Sequence, residues 1–198
     1  MSRIPGVPSR AAGWLVRLSY RLARRRFGAV PEPLTVLAHH RPLLWAYALW
    51  ELANERAMRR LPASLRELAV YRVACQVGCS FCVDFGTMLQ RHRGLDVERL
   101  REIDTYATSP AFTPTERRAL AYADAVTAQP MAVTDEMVAE LDADLGHDGL
   151  VELTYAIAVE NHRARFNHAL GVTDQGFTSG EACRVPVPAD RPLNRARG

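Results

Sequence analysis

The chain is short of cysteine, of long apolar runs and of any alternating strand pattern, and each shortage narrows what it can be. Four cysteines in 198 residues, three of them within the eight residues 75–82, do not form the framework of a disulfide-stapled secreted domain. No apolar stretch approaches the roughly 20 residues that a membrane-crossing helix needs, so no membrane span is expected. No apolar leader of adequate length follows the basic start, which leads to the expectation of a cytoplasmic protein. Acid is missing from the whole beginning: Arg3, Arg10, Arg17, Arg21, Arg24, Arg25 and Arg26 all precede the first carboxylate, Glu32. The overall formal charge is only +3, too small to point to nucleic acid by itself.

What is present is an ordinary globular composition, 48% hydrophobic and 24% charged, in a length that suits a single domain over 1–198. Residues 1–28 contribute a basic N-terminal helix, and 175–198 an aperiodic tail rich in Gly and Pro. Apolar residues recur at helical spacing elsewhere, which predicts an all-α fold. Helices are expected over 10–26, 34–39, 42–59, 64–77, 79–93, 96–106, 115–128, 135–145 and 150–169. Ser64 with Glu67 looks like a capping box, Thr113 or Thr115 and Thr134 look like further N-caps, and Gly28, Gly94, Gly149 and Gly171 look like breaks. In the first helix Trp14, Leu15, Leu18 and Leu22 form an apolar stripe. It is expected to pack on the core, with the arginines solvating the opposite face; the alternative is a basic arm that meets a membrane surface or an acidic partner. Leu43, Leu44, Tyr47 and Trp50 are expected in the core or at an interface, and the helix over 42–52 and the tail over 175–193 are expected as subunit contacts.

One segment concentrates chemistry: Leu65–Gly86, LRELAVYRVACQVGCSFCVDFG. Cys79 and Cys82 form a Cys-x-x-Cys pair, which can close into a disulfide and reopen. Glu67 lies twelve residues upstream. On one continuous helix Glu67 and Cys79 would stand about 18 Å apart. Gly78 is the natural break, and a turn there folds the second helix back over the first. Cys79 then starts a helix, where free N–H groups and the positive dipole end favour a thiolate. The structural alternatives are small buried thiols at a tight junction and a purely capping Glu67. Cys75 is expected in the core, and Cys183 to be incidental. A weak echo of the segment recurs 85 residues later at Leu150–Gly171. The pairs Leu65/Leu150, Glu67/Glu152, Leu68/Leu153, Phe81/Phe166 and Gly86/Gly171 match, which suggests a duplicated helical unit.

Glu67, the twelve-residue gap and Cys79-Ser80-Phe81-Cys82 resemble the carboxymuconolactone decarboxylase superfamily in its AhpD-like alkylhydroperoxidase branch. The later stretch Val159–Asn167 and Gln175-Gly176-Phe177 resemble its longer members. The resemblance implies a compact, all-helical, usually homo-oligomeric protein with a redox-active Cys79–Cys82 disulfide and neither metal nor organic cofactor. It implies a small-molecule peroxide as substrate and a separate dithiol protein as reductant. Cys82 is implied as the thiol that attacks peroxide, Cys79 as the one that resolves the sulfenic acid, and Glu67 as part of a proton relay. The family pattern has histidines just before the second cysteine and four residues after it. Phe81 and Gly86 stand there instead, so Asp84, His162 and His168 become candidate relay or pocket residues. Three other functions fit parts of the pattern: a lactone decarboxylase or isomerase of the same superfamily, a non-catalytic thiol-bearing helical oligomer, and an iron–sulfur site on Cys75, Cys79 and Cys82.

Overall fold

The computed structural model describes residues 2–178, and among them there are helices and connections but no strand. Seven α-helices run in order: α1 Trp14–Phe27, α2 Glu32–Leu37, α3 Arg41–Ala57, α4 Ala63–Val77, α5 Ser80–His92, α6 Pro114–Thr127 and α7 Asp135–Ala169. The short helix expected at 96–106 is a 3-10 helix, Glu98–Thr105, between α5 and α6. Cys183 and most of the tail lie outside the described residues.

The centre of the fold is a three-helix core of α4, α6 and α7. Leu65, Ala69 and Val73 recur every four residues on α4 and meet Ala119 and Ala123 of α6 and Leu153 and Ile157 of α7. The small side chains at this contact let the helices come close. On its other side α4 presents Leu68, Tyr71 and Ala74 to Val83 of α5, Leu100 and Ile103 of the 3-10 helix, and Leu120 of α6. A helix buried on two sides must be apolar on two sides, which explains why α4 lacks a clean polar face. Arg72 is one of its few polar residues. It pairs with Asp124 at 2.6 Å and Asp104 at 2.8 Å, tying α4 to α6 and to the 3-10 helix.

Several local expectations hold because they depend only on neighbours in sequence. Thr113 caps α6 with a full capping box closed by Glu116, and Thr134 caps α7. Gly28 and Gly94 take left-handed backbone at or just beyond helix ends. Others need correction. Ser64 is no cap: α4 starts one residue earlier, after Pro62, with no side-chain cap. The break in the last long helix falls at Gly146 (φ 68°, ψ 167°), not at Gly149, which is helical and tightly packed against Leu145 and Leu61. The duplicated unit is not repeated in three dimensions: Leu65–Gly86 turns at Gly78, whereas its echo runs straight through Arg163 as helix.

The largest correction concerns α1. Its buried residues are Val16 and Tyr20, which pack with Leu37 and Leu44. The stripe Trp14, Leu15, Leu18 and Leu22 faces outward, with Trp14 68% exposed. On α3, Leu44 is fully buried but Leu43 is exposed.

Candidate active site

Gly78 makes the site possible. It takes left-handed backbone (φ 77°, ψ 31°), which glycine adopts without steric penalty, and ends α4 so that α5 folds back. Cys79 is the N-cap of α5, and its sulfur accepts a hydrogen bond from the Cys82 N–H at 3.2 Å. Cys79 and Cys82 are joined as a disulfide, with Cα atoms 5.3 Å apart. The two sulfur-bearing residues differ in access. Cys79 is 1% exposed within an apolar cluster with Val36, Phe81, Ala164 and Val172. Cys82 lines a cavity of about 420 Å³.

Six helices, α1 to α5 and α7, and the α1–α2 connection wall that cavity. Phe27, Leu34, Phe81 and Phe85 give it an apolar side, and Glu67, Arg66, Arg93, Tyr47, Glu51, Glu160, Arg163 and Asn167 a polar one. Glu67 does not cap α4. Its carboxylate accepts from Arg93 and, at 3.5 Å, from Arg66, so it sits at the cavity between two guanidinium groups. The turn at Gly78 therefore brings Glu67 and Cys82 to one cavity, which a straight helix could not.

The opposite wall comes from α7. Ala156, Glu160, Arg163 and Asn167 all line the cavity, at helical spacing. The Asn167 side-chain N–H donates to the Cys82 sulfur at 3.5 Å, and the Asn167 Oδ1 is buried without a hydrogen-bond partner among the described residues. Glu160 is 4% exposed and faces Arg163 at 3.5 Å. Burial pushes its carboxyl up to about 7; Arg163 pulls against that shift, and the nearby Glu51 and Glu67 add to it. Arg163 is mainly engaged elsewhere, with both oxygens of Glu51. Burial opposes its charge, but the bonds and attraction to Glu51 outweigh that and hold the guanidinium above its ordinary value. Burial raises the Tyr47 hydroxyl, and the adjacent Glu51 carboxylate raises it further.

The candidate relay residues lie elsewhere. Asp84 is buried, and its carboxylate accepts from the backbone N–H groups of Gln175, Phe177 and Thr178 and from the Thr178 hydroxyl, at 2.7–3.1 Å. It fastens the segment after α7 onto α5 and does not line the cavity. His162 is exposed and packs edge-on to Trp50, ring centroids 5.4 Å apart. His168 is exposed too, its Nδ1 3.2 Å from the Gly78 carbonyl oxygen. Phe81, at the position of the first missing imidazole, stacks with Phe85 at 5.4 Å. Gly86, at the second, lines the cavity. Glu160, Asn167 and Tyr47 were not singled out as site residues from sequence. A signal existed: Glu160, Arg163 and Asn167 stand at i, i+3 and i+7, which places them on one helical face directed away from His162 and Arg165. No group of three or more metal-binding side chains occurs among the described residues.

The chain is similar to several known proteins. Residues 45–125 match the model of the carboxymuconolactone decarboxylase family. The uncharacterized Escherichia coli protein YnjA is 32% identical over 165 residues, covering 83% of this chain and 88% of its own. Two solved structures share the fold at 19% identity. The debrominase Bmp8 does so with a TM-score of 0.74 over 87% of this chain and 91% of its own. The alkylhydroperoxidase AhpD core of a peroxidase-related protein from Ralstonia eutropha does so with a TM-score of 0.69 over 89% of this chain and 94% of its own. With its thiol pair at a helix start, its all-helical architecture and these relatives, the chain belongs to the carboxymuconolactone decarboxylase family and carries the AhpD-like fold.

Proposed function

We propose that the protein is a thiol-dependent peroxide reductase that cycles between the Cys79–Cys82 dithiol and disulfide. The observation that carries this reading is the shared cavity: the sulfur-bearing Cys82 lines it together with Glu67, Glu160 and Asn167, while Cys79 lies buried behind. Access assigns the order. In the reduced state Glu67 accepts the Cys82 proton, and the thiolate attacks the outer oxygen of a hydroperoxide. The O–O bond breaks, Cys82 becomes a sulfenic acid, and the alkoxide leaves as an alcohol after taking one proton. Glu160 supplies that proton, since a carboxyl raised to about 7 still holds one near neutral pH. The unpartnered Oδ1 of Asn167 accepts the hydroperoxide O–H and orients it. Cys79 then displaces hydroxide from the Cys82 sulfur, giving the disulfide, and the proton its thiol gives up leaves with the hydroxide as water. Two electrons have passed from the dithiol to the peroxide, and a dithiol protein returns them. Two carboxyl groups in contrasting surroundings thus divide the proton traffic that imidazoles handle in the peroxidase pattern.

A second reading follows from the fold match to the debrominase. The same thiolate attacks the halogen of a brominated heteroaromatic held against Phe27, Phe81 and Phe85. The ring carbon takes a proton, and Cys79 displaces bromide to leave the same disulfide. One experiment separates the two. Pre-reduced protein is mixed with one equivalent of cumene hydroperoxide or of a bromopyrrole, free thiols are titrated and the bridge is mapped by mass. Loss of two thiols within seconds in the peroxide arm supports the reductase. A response confined to the bromopyrrole arm replaces it with dehalogenation. Unchanged thiols in both arms over many minutes eliminate both.

A further inference from the structure

The outward stripe of α1 has no role in the thiol chemistry. At about 100° per residue, Trp14, Leu18, Leu22 and Leu15 fall within one arc of roughly 100°. Arg17, Arg21 and Arg24 lie along one edge of that arc, Arg25 within it near its C-terminal end and Arg26 along the other edge, while Val16 and Tyr20 point the opposite way into the protein. The four apolar side chains are 41–68% exposed. Arg26 pairs with Glu55; Arg17, Arg21, Arg24 and Arg25 have no ion pair among the described residues. No carboxylate occurs before Glu32, so the whole face is basic.

We propose that α1 is a surface anchor that lays the protein on an anionic lipid bilayer. Trp14, Leu15, Leu18 and Leu22 enter the boundary between headgroups and acyl chains, and the flanking arginines meet the phosphates. An apolar arc with Trp and Leu beside a strongly cationic margin is the pattern of helices that lie in the plane of a membrane surface. Charge selects this occupant over two others. A nucleic acid would be met by the centre of the face, which is apolar here. A second copy pairing α1 against α1 would set the arginine margins of both helices together. No helix among the described residues is long and apolar enough to cross a membrane, so the association is with its surface.

The orientation has a consequence for the cavity. Ala23, Arg26 and Phe27, at the end of α1, form part of its wall, as does Leu52 of α3, itself 43% exposed. Ala23 and Phe27 lie on the inward side of α1, so the anchored helix stands between the bilayer and this part of the wall. The anchoring does not rest on the redox reading and is measured without it.

The test is sedimentation of the full chain with vesicles of phosphatidylcholine alone or with roughly 30% phosphatidylglycerol. Binding at least tenfold tighter to the anionic vesicles in low salt, lost at about 0.5 M salt, is expected. The triple variant Trp14→Ser, Leu18→Gln, Leu22→Gln alters only exposed side chains and is expected to keep its circular dichroism while binding at least tenfold more weakly. Arg17→Gln, Arg21→Gln, Arg24→Gln is expected to lower binding to anionic vesicles on the order of a hundredfold, about fivefold per charge. No binding of the parent chain to anionic vesicles in low salt overturns the proposal. So does undiminished binding of the apolar triple variant. If vesicles do not bind and the triple variant instead lowers the mass measured by sedimentation equilibrium, the face is covered by a second copy and the proposal is wrong.

Discussion

The two walls of the cavity place polar groups by opposite means. The α4–α5 wall interrupts a helix: Gly78 turns the chain so that Glu67, near the start of α4, and Cys82, in the first turn of α5, face one space. The α7 wall does not interrupt anything. It runs as continuous helix past Arg163, the position that echoes Gly78, and delivers Glu160, Arg163 and Asn167 by periodicity alone. The matched glutamates differ accordingly. Glu152, the counterpart of Glu67, accepts from the backbone N–H of Arg60 at 2.6 Å and of Leu61 at 3.2 Å, so it holds the α3–α4 connection in place. Glu67 meets side chains only, at the cavity. A carboxylate satisfied by backbone donors is part of the architecture, whereas one facing guanidinium groups and open space is available for chemistry. Asp84 and Glu160 repeat the contrast: both are buried, but only Asp84 has backbone donors.

The strongest challenge to this division is at sulfur. Cys82→Ser is expected to lower peroxide consumption at least about a thousandfold, whereas Cys79→Ser should still form a sulfenic acid once, trapped by dimedone and seen by mass. If Cys79→Ser alone abolishes sulfenic acid formation, the attacking thiol is the buried one and access does not set the order. Next in size is Asp84→Ala, which strands three backbone N–H groups and a hydroxyl. It is expected to cost roughly 3–5 kcal/mol in chemical denaturation, with the folded fraction keeping its rate within a few-fold. A large loss of rate without loss of stability would return Asp84 to the relay.

Glu160 tests the same contrast through pH. Its carboxyl is raised by burial from 4.5 to about 7 in the folded chain, so between those values the folded state holds a proton that the unfolded state has released. Stability from this group is therefore full below about 4.5, falls as pH rises, and is lost above about 7. Glu160→Gln is expected to flatten that fall and to be more stable than the parent at pH 8, by on the order of 2 kcal/mol. In peroxide reduction the same variant should be roughly ten- to a hundredfold slower at pH 6 and should lose the decline in rate near pH 7. An unchanged pH profile in Glu160→Gln would remove Glu160 as the proton donor.

Much of this was legible in sequence wherever a feature is local. The Gly78 break, Cys79 at a helix start and the Thr113 and Thr134 caps depend on a few neighbouring residues, and all appear as expected. What was not legible depends on which partner a face finds. The first helix carries two apolar arcs, Val16 with Tyr20 and Trp14 with Leu15, Leu18 and Leu22. The longer arc was expected inside, but α2 and α3 pack on the shorter one. Glu160 and Asn167 were hidden for a related reason. ENHRARFN looks like a solvated cluster, and only the neighbouring wall of α4 and α5 divides it into a cavity side and an outside. The histidines His162 and His168 fell on the outside.

The smallest effect is also the one that asks whether carboxyl groups suffice where imidazole is missing. Gly86 follows Cys82 by four residues on α5, hence on the same face, and lines the cavity. A Cβ added there would meet only the Tyr71 ring edge at 3.9 Å, an ordinary contact. Replacing glycine inside a helix recovers backbone entropy, so Gly86→His should fold and gain a few tenths of a kcal/mol. It places an imidazole one turn from the attacking sulfur, where it can pass the proton that Glu67 and Glu160 otherwise divide. The expected result is a roughly tenfold faster oxidation by peroxide at pH 7, with a new limb in the pH profile near the ordinary histidine value of about 6.5. A faster reaction without that limb would mean that Gly86→His acts through packing. No acceleration would mean that proton transfer does not limit the rate, and that the two carboxyl walls already supply what the missing histidines provide elsewhere.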